Sequence, residues 1–137
     1  MDLKLELVIL PVSDIDRAKR FYADQAGFQV DVDHDAGPSF RIVQLTPPGS
    51  ACSIAFGRNV TSAPPGSVQG LHLVAGDIEA ARDALVRGGV EVGEIYHFGP
   101  EGKAPGVHPT HEKYNSFAEF ADPDGNQWVL QEVPPGT

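Results

Sequence analysis

The sequence predicts an α+β fold made of two similar halves. Two stretches support this prediction: residues 7–28, LVILPVSDIDRAKRFYADQAGF, and residues 71–90, LHLVAGDIEAARDALVRGGV. In each, an apolar strand leads into an Asp-Ile pair, an amphipathic helix with Ala on its inner face, and then Gly. The two pairs begin at Asp14 and Asp77, about half a chain length apart, and two copies are too few for a solenoid. A duplicated module, with strand and helix order βαβββ in each half, explains the repeat.

The first module covers residues 1–58. Residues 4–12 are rich in Leu, Val and Ile and predict a strand. Ser13 is expected to cap the following helix, which Gly27 ends. A second strand over residues 28–32 and a hairpin formed by FRIVQLT and ACSIAFG around a Pro-Pro-Gly-Ser turn complete this module.

The second module covers residues 68–137 and follows a linker over residues 59–67, which is rich in Pro and Gly. The sequence predicts a strand over residues 70–75, a helix over residues 77–87 and a strand over residues 90–98. A closing hairpin of SFAEFA and NQWVLQEV turns through Asp-Pro-Asp-Gly, in which Pro fixes φ and Gly accepts a positive φ. The whole chain, residues 1–137, is expected to form a single domain.

An inserted loop over residues 99–115 has no counterpart of that length in the first module. Long loops inside compact domains are more often functional than accidental. One interpretation is a lid that supplies a base or a hydrogen bond; the other is an exposed loop whose histidines, His108 and His111, have no special role. His97 and Tyr114 at the roots of the loop are the better candidates for function.

Composition excludes several classes of partner. The formal net charge of −9 argues against nucleic acid and anionic membranes, which both select clustered Lys and Arg. No apolar run approaches the roughly 20 residues that span a bilayer, and no signal peptide opens the chain. Cys52 is the one cysteine, so that no internal disulfide can form and a reducing cytoplasm is the expected location.

Three segments together resemble the vicinal oxygen chelate superfamily, which includes glyoxalase I, extradiol dioxygenases, and fosfomycin- and bleomycin-resistance proteins. They are residues 12–28, residues 76–90, and FADPDGN at residues 120–126. The resemblance implies that the two βαβββ modules form a curved eight-stranded mixed sheet, with both helices on the convex side and a small organic molecule on the concave side. It also implies a homodimer. Because such a fold hosts both enzymes and pure binders, it does not by itself fix a reaction.

Metal-dependent members of this superfamily bind a divalent cation with four side chains, two from each module. The resemblance transfers these positions to Leu7, Gln44, Gly70 and Val129. Leu, Gly and Val offer no donor atom, whereas divalent cations need several nitrogen or oxygen ligands. We therefore expect no cofactor at the usual metal position.

A divalent metal at a displaced position remains an alternative. His72 and Gln131 lie two residues beyond Gly70 and Val129, and strand residues two apart point to the same face. Gln44 and His72 would be the metal ligands in such a site. The other interpretation is that His72 is a satisfied residue of an apolar pocket whose glutamines form hydrogen-bonding walls.

Strand alternation predicts which side chains line the concave face. The predicted set is Leu7, Ile9, Phe40, Ile42, Gln44, His72, Val74, Ala118, Phe120, Val129 and Gln131. This is an apolar trough with a few polar anchors, as expected of a small-molecule site. The candidate ligand-binding residues are Phe40, Gln44, His72, Phe120 and Gln131.

Three functions fit this pattern. The first is a protein that binds a small, largely apolar organic molecule without the usual metal, as bleomycin-resistance proteins do. The second is a lyase, isomerase or dioxygenase-type enzyme that uses displaced metal ligands or metal-free acid–base chemistry by His72, His97 or Tyr114. A weaker third possibility is a structural or regulatory module that kept the fold and lost the ligand.

Overall fold

The computed structural model describes residues 1–136, which fall into two compact units. The first unit comprises residues 1–68 together with residues 122–126. The second comprises residues 69–121 and those from 127 onward. Both helices and strands are present, which gives the mixed α+β class that the sequence predicts.

The first unit contains a four-stranded sheet and one helix. The strands are β1 (Leu7–Ile9), β2 (Gln29–Asp35), β3 (Arg41–Thr46) and β4 (Ser53–Arg58), in the order β1-β4-β3-β2. Strand β1 runs parallel to β4, and the other pairs are antiparallel. Helix α1 (Ile15–Arg20) continues as a π-helical turn over Phe21–Gln25.

The start of α1 corrects one expectation. Asp14, not Ser13, is the N-cap: its backbone is extended and its carboxylate accepts a hydrogen bond from the N–H of Arg17 at 3.1 Å. The hydroxyl of Ser13 instead donates to Asp124 at 2.6 Å. The prediction was wrong by one residue because both residue types are good caps and the sequence does not show which backbone is extended.

The turn over residues 122–126 supplies the main polar anchor of the first unit. The carboxylate of Asp122, only 5% exposed, accepts hydrogen bonds from the hydroxyl of Tyr22 at 2.7 Å and the side-chain amide of Asn126 at 2.8 Å. The backbone N–H groups of Asp124 and Asn126 donate to its second oxygen. Asn126 also donates to the carbonyl of Pro11 at 3.0 Å. This motif therefore holds the junction between β1 and α1 against the aromatic core that contains Tyr22.

The second unit contains a five-stranded sheet and one helix. Its strands are β5 (Leu71–Ala75), β6 (Tyr96–Gly99), β7 (Gly102–Pro105), β8 (Phe117–Ala121) and β9 (Gln127–Glu132), in the order β5-β9-β8-β6-β7. Strand β5 runs parallel to β9, and the remaining pairs are antiparallel. Helix α2 (Ile78–Arg87) is capped by Asp77, whose carboxylate accepts from the N–H of Ala80 at 3.1 Å.

The expected single eight-stranded sheet is not confirmed, because the strands pair into one sheet of four and one of five. The fifth strand of the second sheet, β7, comes from the segment predicted as the loop 99–115. Gly102, with φ of 101°, allows the tight turn in which it pairs with Gly99. Treating the whole insertion as a loop was wrong at this point.

The predicted strand over residues 90–98 begins only at Tyr96. The preceding residues are not part of a strand. Arg82 on α2 donates to the carbonyls of Val92 and Gly93 at 2.9 and 2.8 Å, and the N–H of Gly93 donates to the carbonyl of Glu119 on β8 at 2.9 Å. Across residues 1–136, none of the helices is both long and apolar enough to cross a membrane.

Candidate functional site

One face of the sheet in the second unit is exposed along most of its width. Cross-strand pairing places Val74, Gln131, Phe117 and Tyr96 in one row, and His72, Val129 and Glu119 in the next. We call this surface the open face; its members are His72, Val74, Tyr96, Phe98, Lys103, Phe117, Glu119, Val129 and Gln131. Because alternate residues of a strand point to opposite sides, their neighbours form the covered face beneath α2.

An aromatic cluster occupies the β6–β8 side of the open face. The rings of Tyr96 and Phe117 are stacked, with centroids 5.5 Å apart and planes at 24°. Phe98 meets both rings edge-on, at 6.0 and 5.8 Å, and is 50% exposed. Contiguous exposed aromatic surface of this kind is typical of binding sites rather than of a bare protein surface.

Tyr96 joins this cluster to two charged side chains. The ammonium nitrogen of Lys103 lies 4.0 Å from the centroid of the Tyr96 ring, within the range of a cation–π contact. The hydroxyl of Tyr96 donates to Glu119 at 3.1 Å. Burial, and then this hydrogen bond to Glu119, raises the pKa of Tyr96 above its usual range. The phenol therefore stays protonated and its donor proton stays directed at the carboxylate.

A cavity of about 480 Å³ opens beside this group. Its lining is Gly93, Glu94, Ile95, Tyr96, Lys103, Ala104, Pro105 and Glu119. Small-molecule sites typically measure roughly 300–1,000 Å³ and combine apolar walls with a few polar groups. The cavity meets both conditions.

Three of the predicted site residues, His72, Gln131 and Tyr114, lie in the second unit. His72 is exposed on the open face, where its Nδ1 lies 2.7 Å from the carbonyl oxygen of Gly70. Since a carbonyl only accepts, Nδ1 carries the proton and Nε2 is left as the acceptor. Gln131, one strand away on the same face, donates from its amide to the carbonyl of Tyr114 at 3.1 Å.

Phe120 and Ala118 are on the covered face, so the prediction that they line the trough was wrong. Phe120 lies directly opposite Trp128 in the β8–β9 ladder, with the two rings parallel and 6.0 Å apart, and is 4% exposed. Residues paired in this way share a face, and a one-residue shift in the alternation of β8 reverses every side chain. Phe117 and Glu119 hold the open positions instead.

His97 is likewise on the covered face. It is 8% exposed, donates from Nδ1 to the carbonyl of Gly106 at 2.7 Å, and meets the ring of His108 edge-on at 5.5 Å. The structure therefore separates His97 from the open face, and an acid–base role beside His72 does not follow from its position.

Phe40 and Gln44 belong to the first unit. Gln44 is half-buried on β3 between Val32 and Ala55, and the ring of Phe40 lies 6.4 Å from that of His34. Gln44 is part of a different sheet from His72 and Gln131, and Phe40 lies immediately before β3 of that sheet.

The residues at the usual metal positions do not fit a divalent cation. Leu7 lies on β1, Val129 on β9, and Gly70 immediately before β5, and none of the three has a donor side chain. Within residues 1–136, no group of three or more His, Cys, Asp or Glu side chains is placed to hold a metal.

Sequence reasoning missed Tyr96, Phe98, Lys103, Phe117 and Glu119. The alternation in YHFG and FAEFA carried the signal, since every second residue of each segment is on the open face. These residues were missed because the two faces of β8 were assigned the wrong way round and because Lys103 was assigned to a loop.

Comparison with known proteins gives a consistent result. The model of the Glyoxalase/Bleomycin resistance protein/Dioxygenase superfamily matches residues 4–130. The solved structure of TnmS3, an antibiotic binding protein from Streptomyces sp. CB03234, is 31% identical, with a TM-score of 0.73 and 96% of both chains covered. A glyoxalase/bleomycin resistance protein from the same organism is 32% identical, with a TM-score of 0.70 over 93% of this chain and 99% of that one. Protein YetH of Bacillus subtilis is 24% identical over 127 residues, 91% of this chain and 94% of the relative.

Proposed function

We propose, from the premise that this chain belongs to the Glyoxalase/Bleomycin resistance protein/Dioxygenase superfamily, that it binds a small, largely apolar organic molecule on the open face of the second unit. The observation that supports this most directly is the aromatic cluster of exposed Phe98 with half-buried Tyr96 and Phe117, of which Tyr96 lines a cavity of about 480 Å³. A likeness to a protein described as antibiotic binding favours capture of an organic molecule over other functions of the fold.

The open face offers the ligand an apolar surface with polar groups at its border. Phe98 presents about half of its surface, and ring-to-ring contact adds roughly 0.5–1.5 kcal/mol to simple burial. Lys103 and Glu119 can pair with charged or hydrogen-bonding groups of the ligand near Tyr96. Nε2 of His72 is an acceptor on the β5 side, and Tyr114, 52% exposed, stands beside Gln131.

Binding in this proposal requires no metal, since the usual ligand positions carry Leu, Gly and Val side chains. A displaced metal on His72 would have Nε2 as its one available ring nitrogen, because Nδ1 already donates to Gly70. In this proposal His72 and Tyr114 act only as hydrogen-bonding contacts to the ligand, and no catalytic role is assigned to them.

The test is a fluorescence titration with 8-anilinonaphthalene-1-sulfonate, an aromatic anion whose emission rises in apolar surroundings. We expect Phe98→Ala to weaken binding of this probe by roughly tenfold, because about 1.4 kcal/mol of ring contact corresponds to a factor of ten. Val86→Ala is the matched control: Val86 is an apolar residue of α2 that is 45% exposed and does not line the cavity. Its affinity for the probe should match that of the native chain.

Equal affinities for the Phe98 and Val86 variants would contradict a site on the open face. The titration is repeated with EDTA and with added Mn²⁺ or Zn²⁺. If Mn²⁺ or Zn²⁺ strengthens probe binding in the native chain but not in His72→Ala, the result would favour the enzyme with displaced metal ligands.

A further inference from the structure

The last residue of β9, Glu132, has a buried carboxylate that accepts hydrogen bonds from two different segments. It is 1% exposed, and one of its oxygens accepts from the N–H of Ile78, the first residue of α2, at 3.0 Å. The other lies 2.9 Å from Nδ1 of His111, which donates to it. A buried charge is costly unless it is paired and hydrogen-bonded, so both contacts stabilise the fold.

His111 belongs to the segment that joins β7 to β8, residues 106–116, which we call the strap. The strap has its own internal order. Nδ1 of His108 accepts from the backbone N–H groups of Thr110 and Glu112, and the N–H of His108 donates to the hydroxyl of Ser116. These contacts bind the segment to itself. Its two ends are held separately: His97 donates to the carbonyl of Gly106, and the side chain of Asn115 bonds to the backbone of Phe98.

The backbone of the strap is strained at two places. His111 and Tyr114 have φ values of 51° and 66°, in the left-handed region that residues other than glycine rarely adopt. Such conformations persist only where the surroundings enforce them. Here the enforcing contacts come from the end of β9: the N–H of Tyr114 donates to the carbonyl of Glu132 at 2.8 Å, and Gln131 donates to the carbonyl of Tyr114 at 3.1 Å.

The same contacts place Tyr114 relative to the open face. Gln131 is a member of the open face, and it holds the backbone of Tyr114, whose ring is 52% exposed. The position of this ring therefore depends on the strap being fastened to β9, and the hydrogen bond between the side chains of His111 and Glu132 is one of the contacts that fasten it.

We propose that His111 and Glu132 are positioning residues: their contact latches the strap so that Tyr114 borders the open face, and its loss releases the middle of the strap, residues 107–114, between its two fixed ends. The effect on the ligand rests on the proposed function, whereas the latch itself does not. A purely structural role for Glu132 would act through α2. Replacing His111 separates the two roles, because the contact between Glu132 and Ile78 is kept.

The experiment measures backbone hydrogen exchange residue by residue, without ligand, in the native chain and in His111→Ala. We expect the Tyr114 amide, and with it the His108 and Asn115 amides, to exchange at least tenfold faster in the variant. The amide of Ile78 and those of α2 should keep their native rates. His34→Ala is the control, because His34 is also an exposed histidine but lies on β2 in the first unit. It should leave the strap unchanged.

A rescue variant distinguishes the latch from simple loss of a side chain. His111→Asn keeps a short side chain that can donate to Glu132 and tolerates a left-handed backbone, so it should restore most of the native protection. An unchanged exchange rate of Tyr114 in His111→Ala would overturn the latch, and so would equal acceleration throughout α2 and the sheet.

The naphthalene sulfonate titration gives the second readout. A released strap that weakens probe binding severalfold supports the positioning role; a released strap with native affinity overturns it. This second readout applies where Phe98→Ala weakens probe binding, whereas hydrogen exchange without ligand tests the latch by itself, so failure of the latch and failure of the open-face site are told apart.

Discussion

The two units begin in the same way and then diverge. Asp14 and Asp77 cap their helices with nearly the same backbone geometry, φ −135° and ψ 106° against φ −140° and ψ 101°. Each carboxylate accepts from the N–H three residues on at 3.1 Å. Beyond the cap, α1 gives way to a π-helical turn at Phe21, whereas α2 remains α-helical to Arg87.

In each unit, a buried carboxylate holds a further segment against the repeated strand and helix. In the first unit the π turn includes Tyr22, which is fully buried and donates to Asp122. In the second unit, Glu132 is the buried carboxylate, and it accepts from the N–H of Ile78 at the first residue of α2. Each anchor is a buried carboxylate that ties a segment outside the repeated strand–helix start: the turn over residues 122–126 in one case and the strap in the other.

The anchor of the first unit gives the largest expected effect. Asp122→Ala removes the acceptor of four hydrogen bonds and leaves the hydroxyl of Tyr22 and the amide of Asn126 without it. Buried donors that lose a charged acceptor cost about 1–3 kcal/mol each, so we expect the free energy of unfolding to fall by roughly 3 kcal/mol or more. Urea denaturation followed by far-ultraviolet circular dichroism measures it.

Asp124→Ala is the control in the same turn. Its carboxylate binds the backbone and hydroxyl of Ser13 at the surface, and a loss of about 1 kcal/mol is expected. Similar losses in the two variants would show that the buried carboxylate is not the anchor.

The two caps give a smaller effect and test the equivalence of the modules. Asp14→Ala and Asp77→Ala should each lower the free energy of unfolding by about 1 kcal/mol, the usual contribution of an N-cap carboxylate. Thermal unfolding of both variants gives the comparison. If one variant loses stability markedly and the other does not, the two caps share their geometry but do not contribute equally to the free energy of unfolding.

Ser13 sharpens this comparison. The loss in free energy of unfolding caused by Ser13→Ala should be non-additive with that of Asp124→Ala, since the two side chains share a hydrogen bond. It should be additive with the loss caused by Asp14→Ala. The reverse pattern would restore Ser13 as the cap.

Much of the fold could be predicted from the sequence because its signals are local. The repeated Asp-Ile pair, the apolar helical spacing and the Pro-Asp-Gly turn each depend on residues a few positions apart, and the structure places the helices and the turn there, with the first cap one residue later than predicted. The sheet organisation was harder, because strand pairing joins residues far apart. Strand β7 has the sequence GKAP, without the β-branched or aromatic residues that favour a strand, and forms because the turn at Gly102 returns it onto β6.

The candidate site was predicted in part for the same reason. The faces of His72 and Gln131 follow from alternation within single strands, and the structure places both on the open face. Phe120 was misplaced because FAEFA can alternate in either phase, and only its pairing with Trp128 decides which residues are covered. The contact between His111 and Glu132, 21 positions apart, has no local signal at all.

The smallest expected effect concerns an ion-pair network that the first unit has beside its helix. Asp33 on β2 accepts from Arg41 at 3.0 and 2.9 Å and from Lys19 of α1 at 2.8 Å. Hydrogen bonds to Arg41 and then to Lys19 lower the pKa of Asp33 from 3.8 to about 2. Because the pKa is depressed in the folded chain, the network stabilises the fold fully above pH 4, and this contribution is lost as the pH falls through about 2.

Asp33→Asn isolates that contribution. The pair is partly solvent-accessible, so we expect it to stabilise the native chain by no more than about 1 kcal/mol at neutral pH. The difference in urea midpoint between the native chain and the variant should therefore be constant from pH 7 to pH 4 and shrink toward pH 2. Arg41→Gln should reduce the same pH dependence, because it removes the largest cause of the lowered pKa. A difference that persists unchanged at pH 2 would show that Asp33 stabilises the sheet through packing and not through charge.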